Sequence, residues 1–221
     1  LKQTVLTAAA ALTMMLSAGA SDAATISTLS RELSRTGPWG LPSVAAFGQT
    51  FTLDQTSTLK DVTFRIDDGG TAINFISYVF GWDASNVRTT GSALAAVSGS
   101  TGRSATMRSV SIGLGDITVG AGQYVAFFQA TSVGRASVGF TGGNVYDGGD
   151  FVFQDNLGDE SLFNTGWRIL NASGTDFDTA FEITYEPVAP IPLPGALPLM
   201  LAGLGALGIA ARRRRGVGAP R

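Results

Sequence analysis

The sequence predicts an all-β fold, a two-sheet antiparallel β-sandwich of jelly-roll type, flanked by an N-terminal signal helix and a C-terminal transmembrane-like helix. Three observations predict it. Apolar residues alternate with polar ones over short stretches, the period of a half-buried strand. Glycine is abundant, 29 of 221 residues, and breaks these stretches at turn spacing. No long amphipathic helix interrupts them.

Residues 1–23 read as a signal peptide. Lys2 supplies the positive start, Val5 to Leu16 the apolar run, and Ala18-Gly19-Ala20 the small residues that a signal peptidase probes. Ser21-Asp22-Ala23 offers a second cut site. Residues 24–45 are polar and broken by Gly37-Pro38 and Pro42, so they read as an N-terminal arm, with a short helix or irregular segment over Ile26 to Leu33.

The sandwich is expected over residues 46–186. Phe47, Gln49, Phe51 and Leu53 alternate with small or polar residues, and Val62, Phe64 and Ile66 keep a period of two before Asp67-Asp68-Gly69-Gly70 turns the chain. Ile73 to Trp82 is apolar on both faces, as in a central strand covered on both sides. Val110 with Ile112 and Ile117 with Val119 form shorter runs, separated by glycines that read as turns. Tyr124 to Thr131, Val138 with Phe140, Phe151 with Phe153, and Phe181, Ile183 and Tyr185 complete the set.

Beyond the domain, Pro187, Pro190, Pro192 and Pro194 make residues 187–196 an extended stalk. Residues 197–211 are apolar without a polar face. A helix of that length spans about 22 Å, short of a hydrocarbon core of about 30 Å. Arg212, Arg213, Arg214 and Arg215 open a basic tail, 212–221, that stops transfer and is expected to stay cytoplasmic.

The ordered series Ile191-Pro192-Leu193-Pro194-Gly195, then ALPLMLAGLGALG, then RRRR resembles the VPLPA-CTERM variant of the PEP-CTERM sorting signal. Ile191 stands where that pattern has Val, and Gly195 where it has Ala. The resemblance implies an exosortase-type processing protease as partner, after signal peptidase. It implies an inner-membrane precursor that moves to the cell surface or extracellular matrix, in bacteria that often make exopolysaccharide. The middle of the chain, from FGQTFTL through VTFRIDD and LGDITVGAGQYVAFFQAT to DTAFEITY, resembles a group of uncharacterised secreted domains that often carry such tails. That second resemblance implies a sandwich and supplies no function.

Composition narrows the chemistry. Without cysteine there is no disulfide, and without histidine the commonest general base and transition-metal ligand are missing. Nine basic against sixteen acidic residues lie between Ala24 and Pro190, which argues against nucleic acid. Asp147, Asp150, Asp155 and Asp159, interleaved with Asn and Gly, read either as solvated turns or as a structural calcium site. Trp167, Tyr146 and Trp39 are candidates for stacking on sugar rings, against the alternative that aromatics build the core. No acidic pair stands in an apolar setting that would mark a catalytic carboxylate, and the expected protein is not an enzyme. The leading expectation is an exported surface or matrix protein with a structural or adhesive sandwich. The alternatives are a module that binds carbohydrate, such as exopolysaccharide, and a glycan hydrolase.

Overall fold

The computed structural model describes residues 22–172 and 175–189. All described strands belong to one unit, Ser21–Val188. The expected signal helix, stalk motif, apolar helix and arginine tail lie outside the described residues, Asp22, Ala23 and 187–189 excepted. No helix among the described residues is long and apolar enough to cross a membrane.

The strands are β1 (Ala24–Ser27), β2 (Glu32–Trp39), β3 (Ala46–Leu53), β4 (Ser57–Asp67), β5 (Asn74–Asp83), β6 (Arg88–Ser100), β7 (Arg108–Val119), β8 (Gly122–Ala130), β9 (Ala136–Thr141), β10 (Phe151–Gln154), β11 (Arg168–Ile169), β12 (Asn171–Ala172), β13 (Thr175–Asp176) and β14 (Phe181–Pro187). They form two six-stranded antiparallel sheets and one small ribbon, β12–β13. In the first sheet β4 is the axis. It carries β7 along one side, while β14 and then β9 succeed each other along the other. β1 lies outside β14 and β2 outside β9. The second sheet runs β11-β10-β3-β8-β5-β6.

The alternation read from the sequence sets which side chains meet. Phe64, Ile66, Val62, Phe181 and Ile183 of the first sheet face Phe47, Phe51, Phe75, Phe128 and Phe151 of the second, and all are buried. Burying one such side chain contributes on the order of 1.5–3 kcal/mol. The opposite face of the second sheet is also covered. Tyr78, Phe80, Trp82, Val125, Phe127 and Val152 pack with Phe163 and Trp167 from the segment between β10 and β11. That cover explains the unbroken apolar run over Ile73 to Trp82, since β5 is dry on both faces.

Two sequence expectations are corrected. The segment 24–45 is no separate arm: β1 and β2 are strands of the first sheet, with a 3-10 turn (Leu29–Arg31) between them. They read as polar because both are outer strands with much of their length exposed. The runs at Val110–Ile112 and Ile117–Val119 are one strand, β7, and Gly115 and Asp116 sit at an irregularity within it, where the register with β4 shifts between Leu59 and Asp61. Both have positive φ, 78° and 59°, the local signature of a bulge rather than a turn.

β1 and β14 place the two ends of the domain side by side, with Ala24 opposite Tyr185. Beyond that pairing, the Val188 N–H donates to the Thr56 carbonyl at 2.8 Å.

Candidate functional site

At the end of the sandwich where β1 and β14 carry the termini, a cleft of about 510 Å³ is lined by Ile26, Thr52, Asp54, Tyr146, Asp147, Gly148 and Tyr185. Ile26 comes from β1 and Tyr185 from β14. Thr52 lies near the end of β3, Asp54 follows that strand, and the remaining three come from the β9–β10 connection. Tyr146 and Tyr185 are half-buried, whereas Asp54 and Asp147 are exposed.

The β9–β10 connection is held against β3 by a run of specific bonds. The Thr52 N–H donates to the Tyr146 hydroxyl oxygen at 3.0 Å, and the Thr52 hydroxyl donates to the Gly148 carbonyl at 2.7 Å. Gly149 lies against the Thr50 carbonyl so closely that a Cβ would collide with it. The Asp150 N–H donates to the Thr50 hydroxyl at 2.7 Å, and the Thr50 N–H donates to the Asp150 carbonyl at 2.9 Å. The ring of Tyr146 rests on Phe181, with centroids 5.8 Å apart. Tyr146 is thus fixed at both its ring and its hydroxyl, and burial holds that hydroxyl above its ordinary pKa.

Behind the cleft, Asp178 is wholly buried and organises the same connection. Its carboxylate accepts from Val145 N at 2.7 Å, Tyr146 N at 2.8 Å and Gln49 Nε2 at 2.8 Å. Gln49 in turn accepts from Thr179 N at 2.8 Å. Burial pushes the Asp178 carboxyl up, against those donors, which pull it down, and the balance lies above the ordinary value. Asp178 therefore acts as a structural anchor that aims Tyr146 and Asp147 into the cleft.

Asp150 is also raised, chiefly by burial and then by the charges of Asp176 and Asp178. For a carboxyl raised on folding, the stability it contributes is present below its unfolded value and lost as pH rises through the folded one. Replacing Asp150 with Asn removes that loss. The melting temperature of Asp150→Asn relative to the native protein is expected to increase from pH 4 to pH 7. A difference that stays constant over this range would refute the effect.

The aromatic residues singled out in the sequence fall in different places. Tyr146 lines the cleft. Trp39 is fully buried between the sheets, its indole N–H donating to the Ala45 carbonyl at 2.9 Å and to the Phe128 carbonyl at 3.2 Å. Trp167 is buried on the outer face of the second sheet, its N–H donating to the Phe163 carbonyl at 2.6 Å and its ring edge-on to Trp82. Neither tryptophan offers a ring face to a sugar, which corrects that expectation. An indole is large enough to be worth burying wherever a carbonyl can take its N–H.

The four aspartates proposed as calcium ligands are divided among separate tasks. Asp147 lines the cleft, and Asp150 is joined to Thr50 through its backbone. Asp155 is exposed after β10, and Asp159 caps the 3-10 turn Glu160–Leu162 by accepting from Ser161 N at 2.9 Å. No group of three or more acidic side chains among the described residues is arranged to hold a metal ion. β10 separates Asp147 and Asp150 from Asp155 and Asp159. Ile26, Thr52, Asp54 and Tyr185 escaped the sequence reading, since nothing local distinguishes them from other strand and turn residues.

The body of the chain is thus a sandwich whose termini leave from one edge beside a cleft. Residues 190–215 match the PEP-CTERM protein-sorting motif. The match takes in the Ile191–Gly195 series and Arg212 to Arg215. The chain is therefore an exported protein with a C-terminal sorting signal, of the kind processed by exosortase at the membrane for surface display. No curated protein matches the chain. Among solved structures it is similar to the clostridial cysteine protease Cwp84 after propeptide cleavage, at 11% identity and a TM-score of 0.47, covering 76% of this chain and 41% of that one. It is also similar to the structure of the cysteine protease and lectin-like domains of Cwp84, a surface layer associated protein of Clostridium difficile, at 10% identity and a TM-score of 0.39, covering 65% of this chain and 33% of that one. The chain spans less than half the length of either structure.

Proposed function

We propose that the protein is a non-catalytic adhesive component of the cell surface or extracellular matrix, whose sandwich holds a glycan chain in the Tyr146–Tyr185 cleft. The observation that carries this reading is the composition of the cleft. Two half-buried tyrosines provide apolar ring surface, and Thr52, Asp54 and Asp147 provide polar groups for hydroxyls. A sugar has the same division, with apolar C–H faces and a polar rim, and tyrosine pairs a flat apolar body with a polar tip. Binding sites of this kind are concave, with a few convergent polar groups that set orientation.

The sorting tail supports the same reading, because it delivers the domain to the place where secreted polysaccharide would be met.

The test uses the exported protein, purified from cells that express it, on a glycan array. Binding to at least one polysaccharide class is expected, and Tyr185→Ala is expected to weaken it about two- to tenfold, the 0.5–1.5 kcal/mol typical of an aromatic contact. An array without binding, or binding indifferent to Tyr185, would overturn the reading.

A further inference from the structure

We infer that two copies of this chain join edge to edge through β6, antiparallel, and that the contact links copies carried on facing surfaces. This goes beyond the glycan-binding reading and uses none of the cleft residues.

Among the described residues β6 ends the second sheet and pairs only with β5, and β7 ends the first and pairs only with β4. An outer strand presents a row of N–H and C=O groups that another strand can take. Folded domains guard such rows with charge, proline, bulges or short length. The other outer strands are guarded in these ways. β2 carries Glu32, Arg35 and Pro38, β1 has four residues and β11 has two. β7 is broken by its bulge at Gly115 and Asp116. In β6 the register with β5 is interrupted over Gly91–Leu94. Ala95–Ser100 then runs in regular register against Val79–Asn74, with no charge and no proline.

The core is also left partly open beside that edge. Gly99 of β6 rests on the Ile112 side chain of β7. Val97 and Ile112 are only half-buried, and Leu94 is 41% exposed. Ser109–Gly115 of β7 is uncharged as well. Depletion of charge around an apolar strip is the mark of an interface core.

The occupant that fits is a second copy. The partner must bring a strand edge that is free, regular and uncharged, and β6 is all three. Pairing β6 with itself brings no like charges together. A two-fold axis normal to the sheet keeps the second sheets continuous and both β7 strands in one layer. Each copy then covers the Val97–Ile112 strip of the other. A parallel pairing would turn the partner over and leave the strip open. Side chains that meet across an antiparallel pair share a face, so the axis passes through Val97 or Ser98. About five residues of each copy then pair, roughly 17 Å of strand, with about four to six main-chain hydrogen bonds. A contact this small belongs to the weak, transient class.

Strand direction decides where the copies sit. Ser57, at one end of β4, pairs with Pro187 beside Val188, whereas Asp68, past the other end, bonds to Thr101 just after β6. The joining segment therefore lies in the half of the domain away from Val188. Antiparallel joining points the two Val188 ends in opposite directions, as in copies held by two surfaces rather than side by side on one.

The chain has no cysteine, so a single introduced one reports self-contact. The full chain is oxidised mildly in detergent. Val97→Cys or Ser98→Cys is expected to form disulfide-linked dimers at least tenfold faster than Ser34→Cys on β2 or Thr118→Cys on β7. Cα atoms across an antiparallel pair stand about 4.5–5.5 Å apart, within disulfide reach. Vesicles of neutral lipid carrying the full chain are expected to cluster. Ala96→Lys/Ser98→Lys is expected to abolish clustering, and mixing with vesicles that carry Ala96→Glu/Ser98→Glu to restore it. Both positions are exposed, melting of each variant is measured alongside, and restoration itself requires folded copies. The vesicles hold no glycan, so the outcome is independent of the cleft. Equal crosslinking at all four cysteines would overturn the β6 contact, as would clustering that the lysine pair leaves intact. Crosslinking through β6 without clustering would overturn the joining of facing surfaces.

Discussion

Replacing Asp68 with Ala is expected to lower stability by about 3–5 kcal/mol, because several donors lose one buried acceptor together, each at a cost of about 1–3 kcal/mol. The carboxylate is fully enclosed and accepts four hydrogen bonds. Oδ1 takes Gly70 N at 3.0 Å and Ser104 N at 2.6 Å, and Oδ2 takes the Thr101 hydroxyl at 2.7 Å and Arg103 N at 3.0 Å. The same Thr101 oxygen accepts from Ile73 N at 2.9 Å. One side chain therefore ties the β4–β5 turn to the β6–β7 connection and steadies Arg103, whose φ is 68°. Arg108 Nη2 stands 3.7 Å from Oδ2, close enough for ionic attraction but too far for a hydrogen bond, and it has no other acceptor. Removing the carboxylate deprives the Thr101 hydroxyl and the Arg103 and Ser104 N–H groups of their acceptor at once, while the Gly70 N–H keeps the Ser104 carbonyl at 3.2 Å.

The pH dependence of this site has the opposite sign to that at Asp150. Burial alone would push the Asp68 carboxyl up, but the bonds from Thr101, Ser104, Gly70 and Arg103 together outweigh it, and the group lies below its ordinary value. Its stabilisation is present above the unfolded value, about 3.9, and is lost as pH falls through the lowered folded one. Thermal melts of the native protein and Asp68→Ala are expected to differ most at pH 7 and to draw together below pH 4. A loss under 1 kcal/mol at pH 7 would show that the two connections hold their shape without the carboxylate.

Phe128→Ala is expected to cost a similar amount, about 3–5 kcal/mol, by opening a cavity where the two sheets meet. Phe128 is stacked on Phe75 at 4.2 Å with planes 13° apart, and edge-on to Phe64 at 4.9 Å. Trp39 closes the group at 6.4 Å. Strands β4, β5 and β8 and the end of β2 all contribute to this one cluster, so neighbouring side chains cannot collapse into the void without disturbing both sheets. The change should also alter Trp39 fluorescence, since that indole sits against the lost ring. Chemical denaturation gives the magnitude, and Phe128→Leu, which retains most of the volume, is expected to lose much less. Equal losses for Ala and Leu would place the effect in aromatic geometry rather than in the cavity.

The strands that are legible in the sequence are those with one large apolar residue at every second position: β3, β4, β8 and β14. β6 has no such pattern. Its side chains are mostly small and exposed, and it is placed by pairing with β5. β1 and β2 were hidden for a related reason, because outer strands need only a few buried side chains to be held by a neighbour. The cover over the second sheet was half legible. The double-sided apolar run in β5 required a covering segment, but only the fold shows that Phe163 and Trp167 supply it. The cleft was the least legible feature. Tyr146 and Asp147 stood out in a glycine-rich stretch, yet their partners come from positions 26, 52, 54 and 185, which meet only when β1, β3 and β14 are in place.

The position of β14 has a mechanical consequence for a protein handled through its C-terminus. The strand lies between β1 and β4, joined to both along its length. Tension between Val188 and the far end of the domain runs along the axis of β14 rather than across it. The cross-strand bonds are then sheared together instead of being unzipped one after another. A domain pulled in this direction should resist extraction far better than one hung from an outer strand.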